Sequence, residues 1–247
     1  MPRLTNSNAA NVTGHFGFSG ERLENLTGSS KYTLVSIAVD RSPSVSNFID
    51  LIVECLKKVI RGQSKSPHAD SLLVRVISFA GDVQEVHGFK LLKDIDLTEY
   101  DKIKQLGSST ALYDATHDII SKTQQVGEHY ANDGGLTVNA HCFVITDGEN
   151  VRSIATTSGC RQLLQDMVRK EDLESVVMSL VGVNTSATPG LSKYLQDFKD
   201  EVGFRDFIDA ATMDDKTVAK IEGWISKSVS NSSQACGTGG PSQAVVF

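Results

Sequence analysis

Three long apolar segments constrain the fold of this chain more than any other feature of its sequence. They are residues 32–40 (YTLVSIAVD), 140–147 (AHCFVITD) and 174–183 (ESVVMSLVGV). Nearly continuous runs of this kind are typical of strands that are buried on both faces, as in a parallel sheet covered by helices. Because parallel strands need crossover connections, usually helices, the sequence predicts an α/β fold.

The intervening segments carry the spacing of amphipathic helices. In residues 45–61, apolar side chains recur mostly at intervals of three and four, which places them on one helical face. Further helices are predicted at residues 98–105, from just after Thr110, and at 153–170, 189–199 and 214–229. Strands and helices therefore alternate along most of the chain, as in doubly wound folds.

Three further strands complete the predicted sheet. Residues 71–80 and 82–89 have the pattern of a hairpin joined at Gly81 and Asp82, and residues 204–210 form the last strand. The predicted fold is a doubly wound, mostly parallel sheet of about six strands, with one antiparallel edge strand and helices on both faces. In the common strand order 3-2-1-4-5-6, the first and fourth strands are neighbours, and ligands bind beyond their carboxyl ends.

The chain divides into a central domain and two polar ends. Residues 1–30 are rich in Asn, Ser, Thr and Gly, and we expect an arm packed on the domain through Phe16 and Phe18. The domain is expected to span residues 31–229. Residues 230–247 are small, polar and Gly-rich, which is typical of a flexible tail.

Composition narrows the classes of function and the expected location. The chain has 247 residues, a net charge of -6 and no cluster of Lys and Arg, so nucleic-acid binding is not expected. No stretch resembles a secretory leader or a membrane span, so no membrane association is expected. The four scattered cysteines form no C-x-x-C pair. They suit free thiols in a reducing compartment, and we expect a cytoplasmic protein.

Oxygen-bearing side chains gather where two predicted strands end. Asp40 ends the first strand and Asp147 ends the fourth, while Ser42 and Ser44 follow Asp40 at alternate positions. Thr110 stands just before a predicted helix. Mg²⁺ takes oxygen ligands, and hydroxyls bind it without adding negative charge, so the ion stays electrophilic. If the first and fourth strands are neighbours, these residues predict a site for a divalent cation.

The pattern resembles the metal-ion-dependent adhesion site of the von Willebrand factor A (vWA) domain family. The matching residues are Asp40-x-Ser42-x-Ser44, Thr110 in GSSTALYDA and Asp147 in FVITDGEN. The resemblance implies Mg²⁺, or Mn²⁺ or Ca²⁺, held by the two serines directly, by the threonine in the tight-binding state, and by the aspartates directly or through water. It also implies a binding domain, not an enzyme.

The resemblance covers roughly residues 31–229 and implies a kind of partner. In the family, the last coordination position accepts an Asp or Glu carboxylate of another protein. The expected contact rim is Arg41, Pro43, Ser109 and Glu149. We expect a bacterial or phage-type intracellular member of the family, and the resemblance then implies an adaptor beside an ATPase or within a multi-protein assembly.

One alternative is a phosphotransferase of the haloacid dehalogenase type. The stretch DIDLT, Asp94 to Thr98, matches the D-x-D-x-T signature of that family. The first aspartate of that signature must end a buried strand, and no such strand precedes Asp94. The simpler interpretation is a solvated loop in which Thr98 caps the next helix.

A second alternative is a Mg²⁺-dependent hydrolase that uses the same crevice. Glu149 is the one nearby residue that has the chemistry to activate water, but its place in a polar loop favours a solvent-facing residue over a base. The chain has no G-x-S-x-G, H-E-x-x-H or G-x-x-x-x-G-K-[ST] motif.

Overall fold

The computed structural model describes residues 20–238, 240 and 243–247. Within them, six strands form one sheet: β1 (Lys31–Asp40), β2 (Leu72–Phe79), β3 (Val83–Leu91), β4 (Thr137–Thr146), β5 (Ser175–Val183) and β6 (Asp206–Ala210). The α-helices are α1 (Ile49–Gln63), α2 (Leu112–Asn132), α3 (Thr157–Lys170), α4 (Leu191–Val202) and α5 (Asp215–Ala235). The segment predicted as a short helix near residue 98 is a 3-10 helix over Leu97–Lys104.

The sheet has the predicted order and directions. Its strands follow each other as β3-β2-β1-β4-β5-β6, which is the order 3-2-1-4-5-6. β1 pairs in parallel with both β2 and β4, and β3 pairs antiparallel with β2 at the edge. The predicted doubly wound α/β fold is therefore confirmed.

Side chains alternate between two apolar cores, one on each face of the sheet. On β1, Leu34 and Ala38 belong to the core that contains residues of α2, α3 and α4. Val35, Ile37 and Val39 belong to the other core, which contains residues of α1 and α5. This period of two, with both faces buried, explains why β1 is apolar at nearly every position.

The last helix is longer than its sequence pattern predicts. α5 ends at Ala235, so the predicted boundary at residues 229 and 230 falls inside a helix. Its final turns face buried polar groups: the Ser232 hydroxyl lies 3.1 Å from His141 Nδ1, and Asn139 Nδ2 donates to the Ser232 carbonyl. Because serine pairs with polar strand residues here, the helix continues without the apolar periodicity on which the prediction depended.

Both ends of the described chain contact the domain. Leu26 is buried, and the Tyr130 hydroxyl donates to the Glu21 carbonyl at 2.8 Å. The expected anchors Phe16 and Phe18 lie outside the described residues. Near the other end, Trp224 Nε1 donates to the carbonyl of Val245 at 2.9 Å.

The cysteines behave as the sequence predicts. Cys55, Cys142, Cys160 and Cys236 are free and buried. Burial raises the pKa of each thiol, so these side chains stay protonated and act as small apolar groups. In the part of the chain that is described, no helix combines the length and the apolar character that crossing a bilayer requires.

Candidate metal centre

The predicted ligands lie where the winding of the sheet reverses. Asp40 is the last residue of β1, and Asp147 directly follows β4, which is the neighbour of β1. Both carboxylates therefore leave the sheet at its carboxyl edge, where doubly wound folds place their ligands.

The Asp40 carboxylate is fixed by two hydrogen bonds. Oδ1 accepts from the backbone N–H of Ser42 at 2.8 Å, and Oδ2 accepts from the Thr146 hydroxyl at 2.6 Å. A 3-10 helix over Pro43–Asn47 follows, with Ser42 in extended conformation before it. Proline suits a first helical position because its φ is preset and its missing N–H needs no partner there. Pro43 thus stabilises the turn that holds Ser42 and Ser44 near Asp40.

Two hydroxyls connect the first aspartate loop to the second. The hydroxyl oxygens of Ser42 and Ser44 lie 2.8 Å apart, and the Ser44 hydroxyl donates to Asp147 Oδ1 at 2.7 Å. Ser44 and Asp147 are 103 residues apart in sequence. The fold therefore brings four of the five predicted ligands into one chain of hydrogen bonds and short contacts.

Thr110 faces the same space from a third loop. A Cβ built on Gly148 would lie 3.7 Å from Thr110 Oγ1 and 4.0 Å from Asp40 Oδ2. Glycine thus leaves room between these two oxygens that any larger residue would begin to fill. Thr110 is buried, and no hydrogen bond to its hydroxyl is found among the described residues. A hydroxyl oxygen beside a carboxylate can serve as a neutral ligand to a hard cation.

The site concentrates negative charge in a buried place. Burial raises the pKa of Asp40, and it raises the pKa of Asp147 to about 6, with repulsion from the Asp40 carboxylate acting in the same direction. Neither aspartate forms an ion pair with a basic side chain of the described chain. Two carboxylates and three hydroxyls therefore supply oxygen ligands and an unbalanced negative charge, and this donor set fits Mg²⁺, Mn²⁺ or Ca²⁺.

The basic residue next to Asp40 balances that charge only in part: the charge of Arg41 opposes the rise in pKa that burial causes at Asp40, but its ion pair is with Asp82. Arg41 donates to Asp82 Oδ1 at 2.5 Å and to the Gln105 carbonyl at 3.1 Å. Its side chain is only 6% exposed, so it does not belong to the exposed contact rim that the sequence predicts. Arg41 instead ties the β1–α1 loop to the hairpin and to the segment before α2.

The other predicted rim residues are more accessible. Pro43 and Glu149 are exposed, and Ser109 is half-buried. Ser109 has a φ of +69°, a left-handed conformation that is uncommon for a residue with a Cβ. Directly after it, Thr110 turns into the site, so backbone strain is localised at the loop that presents this hydroxyl.

Sequence reasoning missed the groups that support the ligands. Thr146, the last residue of β4, orients Asp40 through its hydroxyl. Residues 150–155 also form an ordered loop, so α3 begins at Thr157 and not at 153, with the Thr156 side chain accepting from Gly159 N. Thr156 itself was the available signal for this later start, because threonine is a frequent N-cap.

The DIDLT stretch does not form a second site. Asp94 ends a 3-10 turn over Leu92–Asp94 after the antiparallel edge strand β3, not after a buried parallel strand. The cap of the following 3-10 helix is Asp96, which accepts from Thr98 N at 2.9 Å, so the prediction of Thr98 as the cap was wrong. This stretch is a capped turn.

A conventional metal cluster is absent from the described residues. No group of three or more His, Cys, Asp and Glu side chains is arranged to hold an ion there. The candidate centre has two such side chains and depends for its remaining ligands on hydroxyls. It is therefore a site in which neutral oxygens outnumber carboxylates.

The comparisons with known proteins concern the fold. No known family profile matches the sequence, and no curated protein matches it. Among solved structures, the minor pilin PilB from Streptococcus sanguinis aligns with a TM-score of 0.60 at 12% identity, covering 87% of this chain and 64% of the pilin. The pilus adhesin SpaC from Lactobacillus rhamnosus GG aligns with a TM-score of 0.58 at 10% identity, covering 82% of this chain and 31% of SpaC.

A third structure is similar over its whole length. An aerotolerance-related membrane protein from Bacteroides fragilis aligns with a TM-score of 0.50 at 14% identity, covering 80% of this chain and 98% of that protein. This chain spans less than two thirds of the length of PilB, at 64%. At these identities the likeness shows a shared α/β fold.

Proposed function

We propose that this chain is a vWA-type protein-binding domain whose affinity depends on a divalent metal ion. Asp40, Ser42, Ser44, Thr110 and Asp147 would hold Mg²⁺, or alternatively Mn²⁺ or Ca²⁺. When bound, the ion supplies an electrophilic coordination position that a carboxylate of a partner protein can fill. The domain binds and does not catalyse.

One observation carries this proposal: two buried aspartates, neither in an ion pair with a basic side chain of the described residues, meet at the switch point of the sheet and are joined through Ser42 and Ser44. The Ser44 hydroxyl donates to Asp147 at 2.7 Å, and its second lone pair remains available. Buried charges are paired, bind metals or become protonated, and a divalent cation would compensate both carboxylates at neutral pH.

The residues of the site have distinct roles in this proposal. Asp40 and Asp147 supply the charge that attracts a cation. Thr146 orients Asp40, and Pro43 fixes the turn that presents the serines. Thr110 stands on the loop before α2, and of the proposed ligands it is the one that this loop positions.

A hydrolase that uses the same crevice is not favoured. Glu149 is exposed on the β4–α3 loop, and no hydrogen bond to its carboxylate is found in the part of the chain that is described. A general base needs to be held within reach of the attacking water. One structural neighbour, SpaC, is a pilus adhesin, which is in keeping with a binding role.

The expected setting is also part of the proposal. Four buried free thiols suit a reducing compartment, which we take to be the cytoplasm. The partner would be another protein that offers Asp or Glu, such as an ATPase or a subunit of a larger assembly. The net charge of -6 makes the metal the local attraction for such a partner.

Panning of a phage-displayed random peptide library against the full chain tests the proposal. Selection in Mg²⁺ followed by elution with EDTA should recover peptides that share an Asp or Glu. Thr110→Ala should still bind Mg²⁺ by calorimetry, about tenfold more weakly, because both carboxylates remain. It should lose far more affinity for the recovered peptides, since the hydroxyl that sets the coordination state is gone.

Two results would contradict the proposal. One is the recovery of peptides without a shared acidic residue, or with no effect of EDTA on binding. The other is wild-type peptide affinity in Thr110→Ala. Ser108→Ala is the matched control, because it removes an exposed hydroxyl from the same loop that is not one of the proposed ligands.

A further inference from the structure

Exposed apolar side chains stand on the loops that form the candidate centre. Among the described residues, six large apolar side chains are exposed, and three of them stand on the loops that carry or contact the ligands. Leu106 is 41%, Val151 is 73% and Ile154 is 97% exposed. We call these three residues the apolar rim. Single exposed apolar residues are ordinary, whereas several beside one polar site indicate an interaction surface.

The backbone connects the apolar rim to the site. The N–H of Gly107, next to Leu106, donates to the Arg41 carbonyl at 3.0 Å. The N–H of Val151 donates to the Thr110 carbonyl at 2.9 Å. Leu106 and Val151 are thus fixed relative to the two loops that present Ser42 and Thr110.

Ile154 is exposed on an ordered turn. The Ser153 hydroxyl accepts from the N–H groups of Tyr113 and Asp114 in the first turn of α2, at 3.2 and 3.3 Å. In return, Asp114 Oδ1 accepts from the N–H groups of Ile154 and Ala155 at 2.9 and 2.7 Å. This reciprocal pair caps α2 and holds the turn, so the exposure of Ile154 is pre-organised, and little entropy is lost when a partner covers it.

A positively charged side chain lies in the same loop as Val151 and Ile154. Arg152 is exposed between Val151 and Ile154, and it forms no ion pair with any described residue. Glu149 is the exposed acid of the loop, three residues earlier. An unpaired guanidinium beside the site favours an approaching acidic group and disfavours a basic one. The apolar rim and Arg152 therefore complement a segment that is both acidic and apolar.

We infer that the site recognises a peptide segment of a partner protein in which the metal-binding carboxylate is flanked by large apolar residues. The inference rests on the proposed function for the carboxylate, and it assigns the flanking residues to the apolar rim. Ile154 is the main contact, because it is the most exposed and is held by Asp114. Leu106 and Val151 contribute smaller contacts, and Arg152 steers the acidic segment.

Two synthetic nonapeptides test the inference, each with one central Glu and labelled for fluorescence polarisation. In the first the Glu is flanked by leucines, and in the second by serines, so their charge is the same. With the full chain in saturating Mg²⁺, the leucine peptide should bind about tenfold more tightly than the serine peptide. In Ile154→Ser that ratio should fall to about twofold.

Matched variants distinguish an effect of the apolar rim from an effect of any exposed apolar side chain. Val168→Ser removes another exposed apolar side chain, on α3, and should leave the tenfold ratio unchanged. Arg152→Gln should weaken both peptides by a similar factor, about threefold, because it acts on charge. Ile154 and Val168 are exposed, so these variants are expected to fold, and circular dichroism checks this.

Each outcome decides a specific point. Equal affinity of the two peptides for the wild-type chain, including no measurable binding of either, overturns the inference. Equal affinity with loss of binding in EDTA overturns the inference but leaves the proposed function standing. A leucine preference that depends on Ile154 but not on Mg²⁺ contradicts the proposed function and supports peptide binding by the apolar rim. A wild-type dimer that becomes a monomer in Ile154→Ser, measured by sedimentation, assigns the rim to a second copy and overturns the inference.

Discussion

The sheet buries charge in two places, and they are built differently. In the first, Arg75 on β2 donates to Glu85 and to Asp118, each at 2.8 Å, so a buried cation has two acidic partners. In the second, Asp40 and Asp147 meet at the ends of β1 and β4. The nearest basic side chain there, Arg41, is paired with Asp82.

The difference separates a structural charge cluster from a site that is incomplete on its own. Around Arg75, opposite charges offset each other within the protein. At the β1–β4 edge, two acids lie beside hydroxyls, which orient them without neutralising them. Because an uncompensated buried charge is costly, we expect the second cluster, unlike the first, to bind a cation from solution.

The largest expected effect comes from breaking the structural cluster. Arg75→Met should lower the free energy of unfolding by about 3 kcal/mol, since it leaves Glu85 and Asp118 without their buried partner. Urea denaturation in EDTA measures this. Arg169→Met, which removes an exposed arginine that pairs with Asp166, should cost less than about 0.5 kcal/mol. Similar losses in the two variants would show that burial of the pair is unimportant.

The buried, neutral side chain of His87 should make the free energy of unfolding depend on pH, with an effect of intermediate size. His87 lies 3.2 Å from the Tyr100 hydroxyl, and burial lowers its pKa from 6.5 to about 4. Between these values the unfolded chain binds more protons than the folded one, so stability falls as pH falls. From pH 7 to pH 5, this histidine should cost about 2 kcal/mol, and the contribution is absent in His87→Gln.

The difference between the wild type and His87→Gln should therefore shrink as the pH is lowered. Denaturation at several pH values measures it. His117→Gln, at an exposed position on α2, serves as the control and should follow the wild-type pH profile. A pH-independent difference between wild type and His87→Gln would mean that His87 titrates normally in the folded protein.

A smaller effect, with the opposite sign, is expected at the acidic site. In EDTA, Asp147→Asn should stabilise the fold by about 1 kcal/mol, because it removes one of two neighbouring buried charges and keeps an oxygen that accepts from Ser44. Asp200→Asn, at an exposed carboxylate, should change stability by less than about 0.5 kcal/mol. Destabilisation by Asp147→Asn in EDTA would show that the protein itself compensates the charge.

Much of this arrangement is predictable from the sequence, because the buried strands are recognisable as nearly continuous apolar runs. The apolar runs that end at Asp40 and Asp147 predict buried strands, and in the common strand order of doubly wound folds these two acids meet; the sheet has that order. The spacing of Ser42 and Ser44 predicts convergent hydroxyls, and these lie 2.8 Å apart. Their metal-binding role stays a prediction.

Features that depend on contacts between distant segments were not predictable. Thr146 ends a strand like any other threonine, and only the packing of β4 beside β1 turns its hydroxyl toward Asp40. The pairing of Ser153 with Asp114 joins the β4–α3 loop to the first turn of α2, so no local pattern indicates it. Arg41 was expected at the surface because arginine usually is, and the Asp82 carboxylate holds it inward.

Thermal unfolding with and without Mg²⁺ tests the central claim, that the acids at the β1–β4 edge form a divalent cation site. A ligand that binds only the folded state at 100 times its Kd stabilises by about 2.7 kcal/mol, which corresponds to a rise in Tm of roughly 5–10 °C for a chain of this size. The wild type and Arg75→Met should both show this rise, while Asp40→Asn should show none. An equal rise in Asp40→Asn, or no rise in the wild type with Mg²⁺, Mn²⁺ or Ca²⁺, would contradict it.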